Sequence, residues 1–209
     1  MINYDRHIFD IIDNEEKAYW LGFIVADGYI NQKRHTLQIK LGSQDGEKHL
    51  SKFINFIGGK QEELLKTVIH NTTKKTLFQV SLYSSEITTA LNNLLVFQAK
   101  SCKEEIPPIK DIYYRSFIKG LWDGDGFIRE NLNGIGVTCS KEICSFCQEV
   151  FFKELGVNKL KIYDHYTTAK IEYRSKASIN KILNYLYNDS MQYSLERKYQ
   201  LASKCFTKI

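Results

Sequence analysis

Proline is almost absent from this chain: two residues in 209, and they are neighbours, Pro107 and Pro108. Proline lacks the backbone donor and disfavours helix just before it, so the pair marks a joint. Also missing is any apolar run near the roughly 20 residues that a membrane-spanning helix requires. The opening residues alternate charged and apolar side chains, unlike a signal peptide. Cysteine is scarce and scattered, as Cys102, Cys139, Cys144, Cys147 and Cys205. Only Cys144 and Cys147 are spaced like metal ligands, and no second close pair completes a zinc site. An odd count without a framework reads as reduced thiols, so the expectation is a soluble intracellular protein, in the cytoplasm or an organelle. Charge of one sign is hardly in excess: the formal net charge is +5. That alone is a weak argument for a nucleic-acid partner.

What is present is the composition of a folded globular protein, with 43% hydrophobic and 25% charged residues, which argues against extended disorder. The chain is also written twice. Residues 19–29 read YWLGFIVADGY and residues 117–127 read FIKGLWDGDGF. Superposition puts Gly22 on Gly120, Asp27 on Asp125 and Gly28 on Gly126, an offset of 98 residues (125 − 27). The same offset separates Gly58 from Gly156 and Lys100 from Lys198. The expectation is one register held along the whole chain: an N-terminal half at 1–102, a linker at 103–111 containing the proline pair, and a C-terminal half at 112–209.

Each half reads as helix, two strands, helix, two strands, helix, an α+β unit of αββαββα order with antiparallel sheets. In the first half, helices are expected at 15–27, 47–57 and 85–95, with strands at 36–41, 62–69 and 77–83. In the second, helices are expected at 112–123, 141–155 and 176–187, with strands at 127–129, 134–139, 159–165 and 169–174. A further helix spans 195–206. Gly58 and Gly156 are natural helix stops, because glycine takes the left-handed cap that other residues resist.

The two copies of the repeated segment carry the chemistry. Trp20, Leu21, Phe23, Ile24 and Val25 leave one helix no polar face; Phe117, Ile118, Leu121 and Trp122 do much the same in the other. Helices of this kind must be buried. Gly22 and Gly120 each cost about 1 kcal/mol relative to alanine in a helix interior. Close approach of the two helices through those glycines offsets that cost. The paired C-termini then bring Asp27 and Asp125 together at the negative ends of two helix dipoles, where carboxylates are badly placed and repel each other. Divalent cations relieve both penalties. Oxygen ligation by carboxylates suits Mg²⁺, which draws the rest of its shell from water and phosphate.

Trp20–Gly28 and 118–126 resemble the nine-residue LAGLIDADG motif, and the order of elements resembles that family of homing endonucleases over nearly the whole chain. Two copies in one chain resemble its monomeric, double-motif branch. The resemblance implies a saddle with the motif helices at the interface between the halves. The eighth motif position, here Asp27 and Asp125, coordinates the catalytic metals in that family. Ala26 and Gly124, one residue earlier, are the further metal contacts expected. The sixth position, usually acidic, is Val25 in one copy and Asp123 in the other. The family also carries a lysine after the matching helix, which makes Lys100 and Lys198 the expected cations beside each scissile phosphate. Gln44, with Ser43 and Ser140, is expected to orient water.

Strand parity supplies an independent reading. In 37–41 the apolar set Leu37, Ile39 and Leu41 leaves Gln38 and Lys40 opposite; in 78–83, Phe78, Val80 and Leu82 leave Gln79, Ser81 and Tyr83. In the second half Leu160 and Ile162 oppose Lys159, Lys161, Tyr163 and His165, and Ile171 opposes Lys170, Glu172 and Arg174. The strand at 62–69 does not alternate cleanly, and its faces stay unassigned. Glutamine and arginine suit the adenine and guanine edges of the major groove, and lysine suits phosphate. Loops with Lys33 and Arg34, with Lys74 and Lys75, and with Arg129 and Asn131 extend the footprint.

The sequence therefore predicts a monomeric, site-specific endonuclease that hydrolyses both strands of double-stranded DNA with Mg²⁺, Mn²⁺ substituting, as in intron homing. The competing expectations are a maturase that binds intron RNA and a DNA-binding regulator that does not cut. Presence of both aspartates favours cutting. Intein splicing is disfavoured, since neither a leading cysteine or serine nor a terminal His-Asn occurs.

Overall fold

The structure, a computed structural model, describes residues 2–42, 45–97, 105–188 and 192–206. Helix α1 (Glu15–Asp27) starts where the Asn14 side chain accepts a hydrogen bond from the Lys17 backbone N–H, satisfying one orphan donor of the first turn. It runs straight into β1 (Gly28–Asn31), which turns back into β2 (Thr36–Gly42). Then follow α2 (Gly46–Phe56), the single turn α3 (Gln61–Leu64), β3 (Leu65–Ile69), β4 (Thr76–Tyr83) and α4 (Ser85–Asn93). After a 3-10 turn at Asp111–Tyr113 the second half repeats the plan: α5 (Tyr114–Asp125), β5 (Gly126–Ile128), β6 (Ile135–Cys139), α6 (Lys141–Leu155), β7 (Tyr163–His165), β8 (Thr168–Tyr173) and α7 (Lys176–Tyr187). Helix α8 (Glu196–Ser203) follows. Each half has one antiparallel four-stranded sheet, ordered β1-β2-β4-β3 and β5-β6-β8-β7. No helix among the described residues is long and apolar enough to cross a membrane.

The two motif helices form the centre of the molecule. Residues Ala18 to Val25 of α1 and Ser116 to Asp123 of α5 are buried. A Cβ built on Gly22 would lie 2.0 Å from the Phe117 carbonyl oxygen, and one on Gly120 would lie 2.0 Å from that of Tyr19. The helices thus meet backbone to backbone, as the glycines predicted. Around this pair a continuous core joins both halves, with Trp20 packed on Phe53 and Trp122 on Phe151. Gly58 and Gly156 end α2 and α6 with positive φ, +68° and +61°, in the left-handed region that favours glycine.

Four expectations are corrected. Strand β1 went unrecognised in the first half, because Gly28-Tyr29-Ile30-Asn31 is too short to show alternation. Residues 61–64 form a helical turn, so strand pairing begins only at Leu65. In the second half only Tyr163–His165 of the expected 159–165 is strand. Lastly, the single register breaks. Leu37 faces Leu82 and Ile135 faces Tyr173, so the offset of 98 between the first members falls to 91 (173 − 82) between the second. Most of the difference lies in the hairpins: residues 70–75 join β3 to β4, whereas 166–167 alone join β7 to β8.

Candidate metal and nucleic-acid site

The glycine contact fixes where both motif helices end. Each passes directly into a strand: the Gly28 backbone N–H donates to Ile24 O, and that of Gly126 to Trp122 O. Asp27 and Asp125 are therefore the last helical residues, both half-buried. A Cβ on Gly124 would lie 2.3 Å from the Ala26 Cβ and 3.3 Å from Oδ2 of Asp27. The small residues expected at the seventh motif position let the two C-termini touch, with the two aspartates at the same end. A pocket of about 280 Å³ opens there, lined by Asp27, Asp123 and Gly124 together with Gly42, Asp45 and Arg197. Among the described residues no group of three or more His, Cys, Asp or Glu is gathered closely enough to hold a metal.

Beneath this pocket lies a polar network that the motif alone did not reveal. Asp123, 1% exposed, accepts hydrogen bonds from the Tyr187 hydroxyl on Oδ1 (2.7 Å) and from the Tyr19 hydroxyl and Leu195 backbone N–H on Oδ2 (2.7 and 2.8 Å). Burial pushes its carboxyl above the usual range, against the charge of Lys198 and these donors, which favour the ionised form. Lys198 is likewise buried. Its ammonium donates to the carbonyls of Trp122 (2.6 Å), Asp123 (2.7 Å) and Gly126 (2.5 Å), and stands 3.5 Å from that of Gly124. Burial pulls the Lys198 pKa down to about 8, while Asp123 works in the opposite direction. The sequence placed this lysine beside a scissile phosphate. The structure shows it capping the C-terminus of α5, where it saturates the carbonyls that a helix end leaves unpaired and still feels the charges of Asp27 and Asp125.

Arg197, the residue before it, was missed because nothing in its local pattern marks it. Its Nε donates to Asp45 Oδ2 at 2.5 Å, and its side chain, about half exposed, borders the pocket that holds Asp27. Ser140 is corrected too: it is buried and caps α6, accepting from the Ile143 backbone N–H, so it does not face solvent. Gln44, Ser43 and Lys100 lie outside the described residues.

On the sheets, paired residues share a face, and the predicted parity holds in the first half. One cross-strand row is Tyr29, Gln38 and Ser81; the next is Lys40, Gln79 and Lys66; Tyr83 pairs with Thr36 at the end. Gln38 and Gln79 both donate to the Ser81 hydroxyl, at 3.0 and 2.9 Å. Tyr29 and Lys66 join this face although sequence reasoning left them out; the cross-strand register assigns them. Lys33 and Arg34 sit in the β1–β2 turn, Lys74 and Lys75 in the β3–β4 turn, all exposed.

The second sheet is different. Tyr163 pairs with Lys170, and His165 lies one row away on the same face, as expected. Lys161, Tyr163, Lys170, Glu172 and Arg174 line one cleft of about 780 Å³. Lys159, however, pairs with Glu149 of α6 and covers the Phe152 ring, which puts it against the helical layer; the assignment to the strand face is corrected. Arg129, Lys170 and Arg174 are held by a common acid, Glu172. Asn131 is exposed in the β5–β6 turn, where its side chain accepts from the Asn133 backbone N–H.

No protein-family model and no curated protein matches this chain. Solved structures do share its fold. Full-length DUF199/WhiA from Thermatoga maritima superposes with a TM-score of 0.61 and 15% identity, over 97% of this chain and 66% of that one. The chain thus spans about two thirds of that protein's length. I-DmoI, solved in complex with DNA and Ca, gives 0.59 and 18% identity over 96% of this chain and 99% of its own. The LAGLIDADG meganuclease I-CpaMI, bound to uncleaved DNA, gives 0.58 and 15% over 93% and 90%. At such identities the likeness is one of fold: the architecture is the double-motif LAGLIDADG fold, carried both by proteins named as meganucleases and by DUF199/WhiA.

Proposed function

We propose that the chain is a metal-dependent endonuclease that binds double-stranded DNA along its two sheets and hydrolyses both strands, as a homing endonuclease does. The observation that carries this reading is the meeting of α1 and α5 through Gly22 and Gly120, which delivers Asp27 and Asp125 to one end of a shared interface. A structural role does not account for two carboxylates at the negative ends of adjoining helices.

The donor set fits a hard cation that keeps part of its water. Asp27 and Asp125 would supply carboxylate oxygens, and the backbone at Ala26 and Gly124 lies alongside. Such a set suits Mg²⁺, with Mn²⁺ as a substitute, the shell being completed by water and phosphate oxygens. I-DmoI, which shares the fold, was solved with DNA and Ca. When bound, the metal would supply an activated water and neutralise charge on the phosphate. The rest falls to the protein. Lys198 holds the C-terminal turn of α5 in place, because its donors fix three carbonyls around Asp125. Arg197 is the cation placed to meet a phosphate entering the acid pocket, and Asp45 orients it meanwhile. Gln38, Gln79 and their neighbours would read base edges while the lysines of the loops grip phosphate.

A second reading is a DNA-binding protein that does not cut, using the same sheets; the fold by itself does not choose, since DUF199/WhiA carries it as well as proteins named as meganucleases. The test is incubation with Mg²⁺ and a library of candidate insertion-site duplexes, measuring binding and cleavage separately. Asp125→Asn and Asp27→Asn should bind normally and cut about 10²–10³-fold more slowly, and Arg197→Ala about tenfold more slowly. If Asp125→Asn cut as fast as the parent, the metal assignment would be wrong. A parent that binds but never cuts, in Mg²⁺ or Mn²⁺, belongs to the second reading.

A further inference from the structure

Glu172 is the one acid that strand parity puts on the polar faces, and the structure surrounds it with cations. Its Oε1 lies 2.7 Å from Arg129 Nη2 and 3.0 Å from Arg174 Nε, and its Oε2 lies 3.0 Å from Lys170 Nζ. The carboxylate is only 12% exposed, whereas the Arg174 side chain above it is 71% exposed. Burial pushes the Glu172 pKa up, yet hydrogen bonds and charge from Lys170 and Arg174 win and hold it below the usual range. Lys170 is further occupied by the Phe127 ring, 4.7 Å away, which itself covers Gly136. In the first half the matching position is Ser81, 91 residues earlier, and among the described residues its hydroxyl accepts from Gln38 and Gln79. The cations on the sheet face and hairpin loops of the first half, Lys33, Arg34, Lys40, Lys66, Lys74 and Lys75, form no ion pair with any described residue.

We infer that Glu172 is a built-in competitor for the nucleic acid, occupying the arginines and lysine of the second sheet so that the sequence-independent grip comes from the lysines and arginine of the first half, while the cations of the second half answer to base edges. This rests on the reading of the sheets as a DNA-binding surface. A phosphate contact strengthens binding by releasing a condensed counterion, one for each cation brought to the backbone. Three cations shared with a neighbouring carboxylate gain little from an arbitrary phosphate, since they must give up an equivalent partner. A guanine edge, which matches the guanidinium fork with O6 and N7, repays that exchange. Glu172 therefore suppresses indiscriminate contacts in the second half and leaves base-specific ones.

The experiment measures binding of the full chain to a duplex of arbitrary sequence, with Ca²⁺, over a range of salt concentrations. Glu172→Gln keeps the side-chain shape and removes the charge. It should tighten binding to this duplex by about tenfold at low salt and steepen the plot of log K against log[salt] by about two to three. Ser81→Glu, which installs an acid at the matching place one row from Lys40, should do the reverse: weaker binding and a shallower slope. Unchanged or weakened binding by Glu172→Gln, with the fold intact by circular dichroism, overturns the inference. Should that variant fail to fold, Ser81→Glu decides alone, and parental affinity and slope from it overturn the inference. A parent that binds no duplex would instead sink the proposed function, whereas a parent that binds and cuts while both variants behave like it would sink only the role of Glu172.

Discussion

Val25 and Asp123 occupy the same step of the two motif helices, and the halves part company there. In α1 the inward positions Leu21 and Val25 are apolar, and the first half packs around them as an ordinary core. In α5 the same positions are Lys119 and Asp123, each 1% exposed. Asp123 gathers donors from α1, α7 and the segment before α8, while the Lys119 ammonium lies 4.8 Å from the Tyr193 ring centre. From this anchor the chain crosses to the first half: the Lys52 ammonium donates to Ser194 O, Lys48 pairs with Glu196, and Arg197 pairs with Asp45. The lesson is that duplication supplied a symmetric contact between helices, and one copy then acquired a buried polar cluster that fastens the C-terminal segment across the interface. Buried polar groups of this kind are costly unless each is satisfied, so they tolerate one arrangement only.

Copying one half onto the other tests this contrast. Asp123→Val, which gives α5 the residue found in α1, takes the carboxylate acceptor from the Tyr187 and Tyr19 hydroxyls and the Leu195 backbone N–H, leaving Tyr19 with His49, and takes the counter-charge from Lys198. The expected loss is about 3–5 kcal/mol in urea denaturation, far more than a surface substitution. A loss below 1 kcal/mol would mean that the network is incidental. Gly22→Ala and Gly120→Ala probe the feature that the halves share. Each added methyl meets a backbone carbonyl that cannot swing aside, and each should cost about 3 kcal/mol, the two values agreeing closely if the interface is symmetric.

A smaller effect separates His49 from Cys147, which stand at matching places on α2 and α6 behind the motif helices. His49 is buried against Trp20 and Phe23, and its Nε2 lies 3.2 Å from the Tyr19 hydroxyl. Burial, aided by the charges of Lys52 and Lys198, lowers its pKa to about 3. The folded state therefore holds a neutral ring, and the unfolded chain takes up a proton first as pH falls below about 6.5. Between pH 7 and pH 4.5 this group should remove about 2.5 kcal/mol of stability, the loss growing as pH drops. His49→Cys, copying the second half, should flatten that part of the profile; an unchanged slope would show that His49 is not its source.

Much of the site was legible because its signals are local. The span of α1, those of α6 and α7, and the close approach at Gly22 and Gly120 all follow from periodicity, cap residues and a glycine that needs a reason. Strand β1 was not legible, being too short for a period, and Lys66 stayed unassigned because α3 interrupts the alternation in front of it. The offset of 98 that holds between Leu37 and Ile135 shifts to 91 between Leu82 and Tyr173, and the burial of Lys198 against the end of α5 has no local signature. A repeat in sequence reports common origin; it does not require matching surroundings.

Taken by itself, the sequence determined that two apolar helices would pair through glycine and end in aspartate, since composition and spacing along a helix decide which face is buried and where it stops. Only the tertiary structure decided which lysine would be buried as a cap, which arginine would border the acid pocket, and that Glu172 would hold three cations of the second sheet. Those outcomes depend on groups as far as 152 residues apart, as Arg197 is from Asp45, being brought within hydrogen-bonding distance. Electrostatic and hydrogen-bond energies turn on such distances, and no local pattern encodes them.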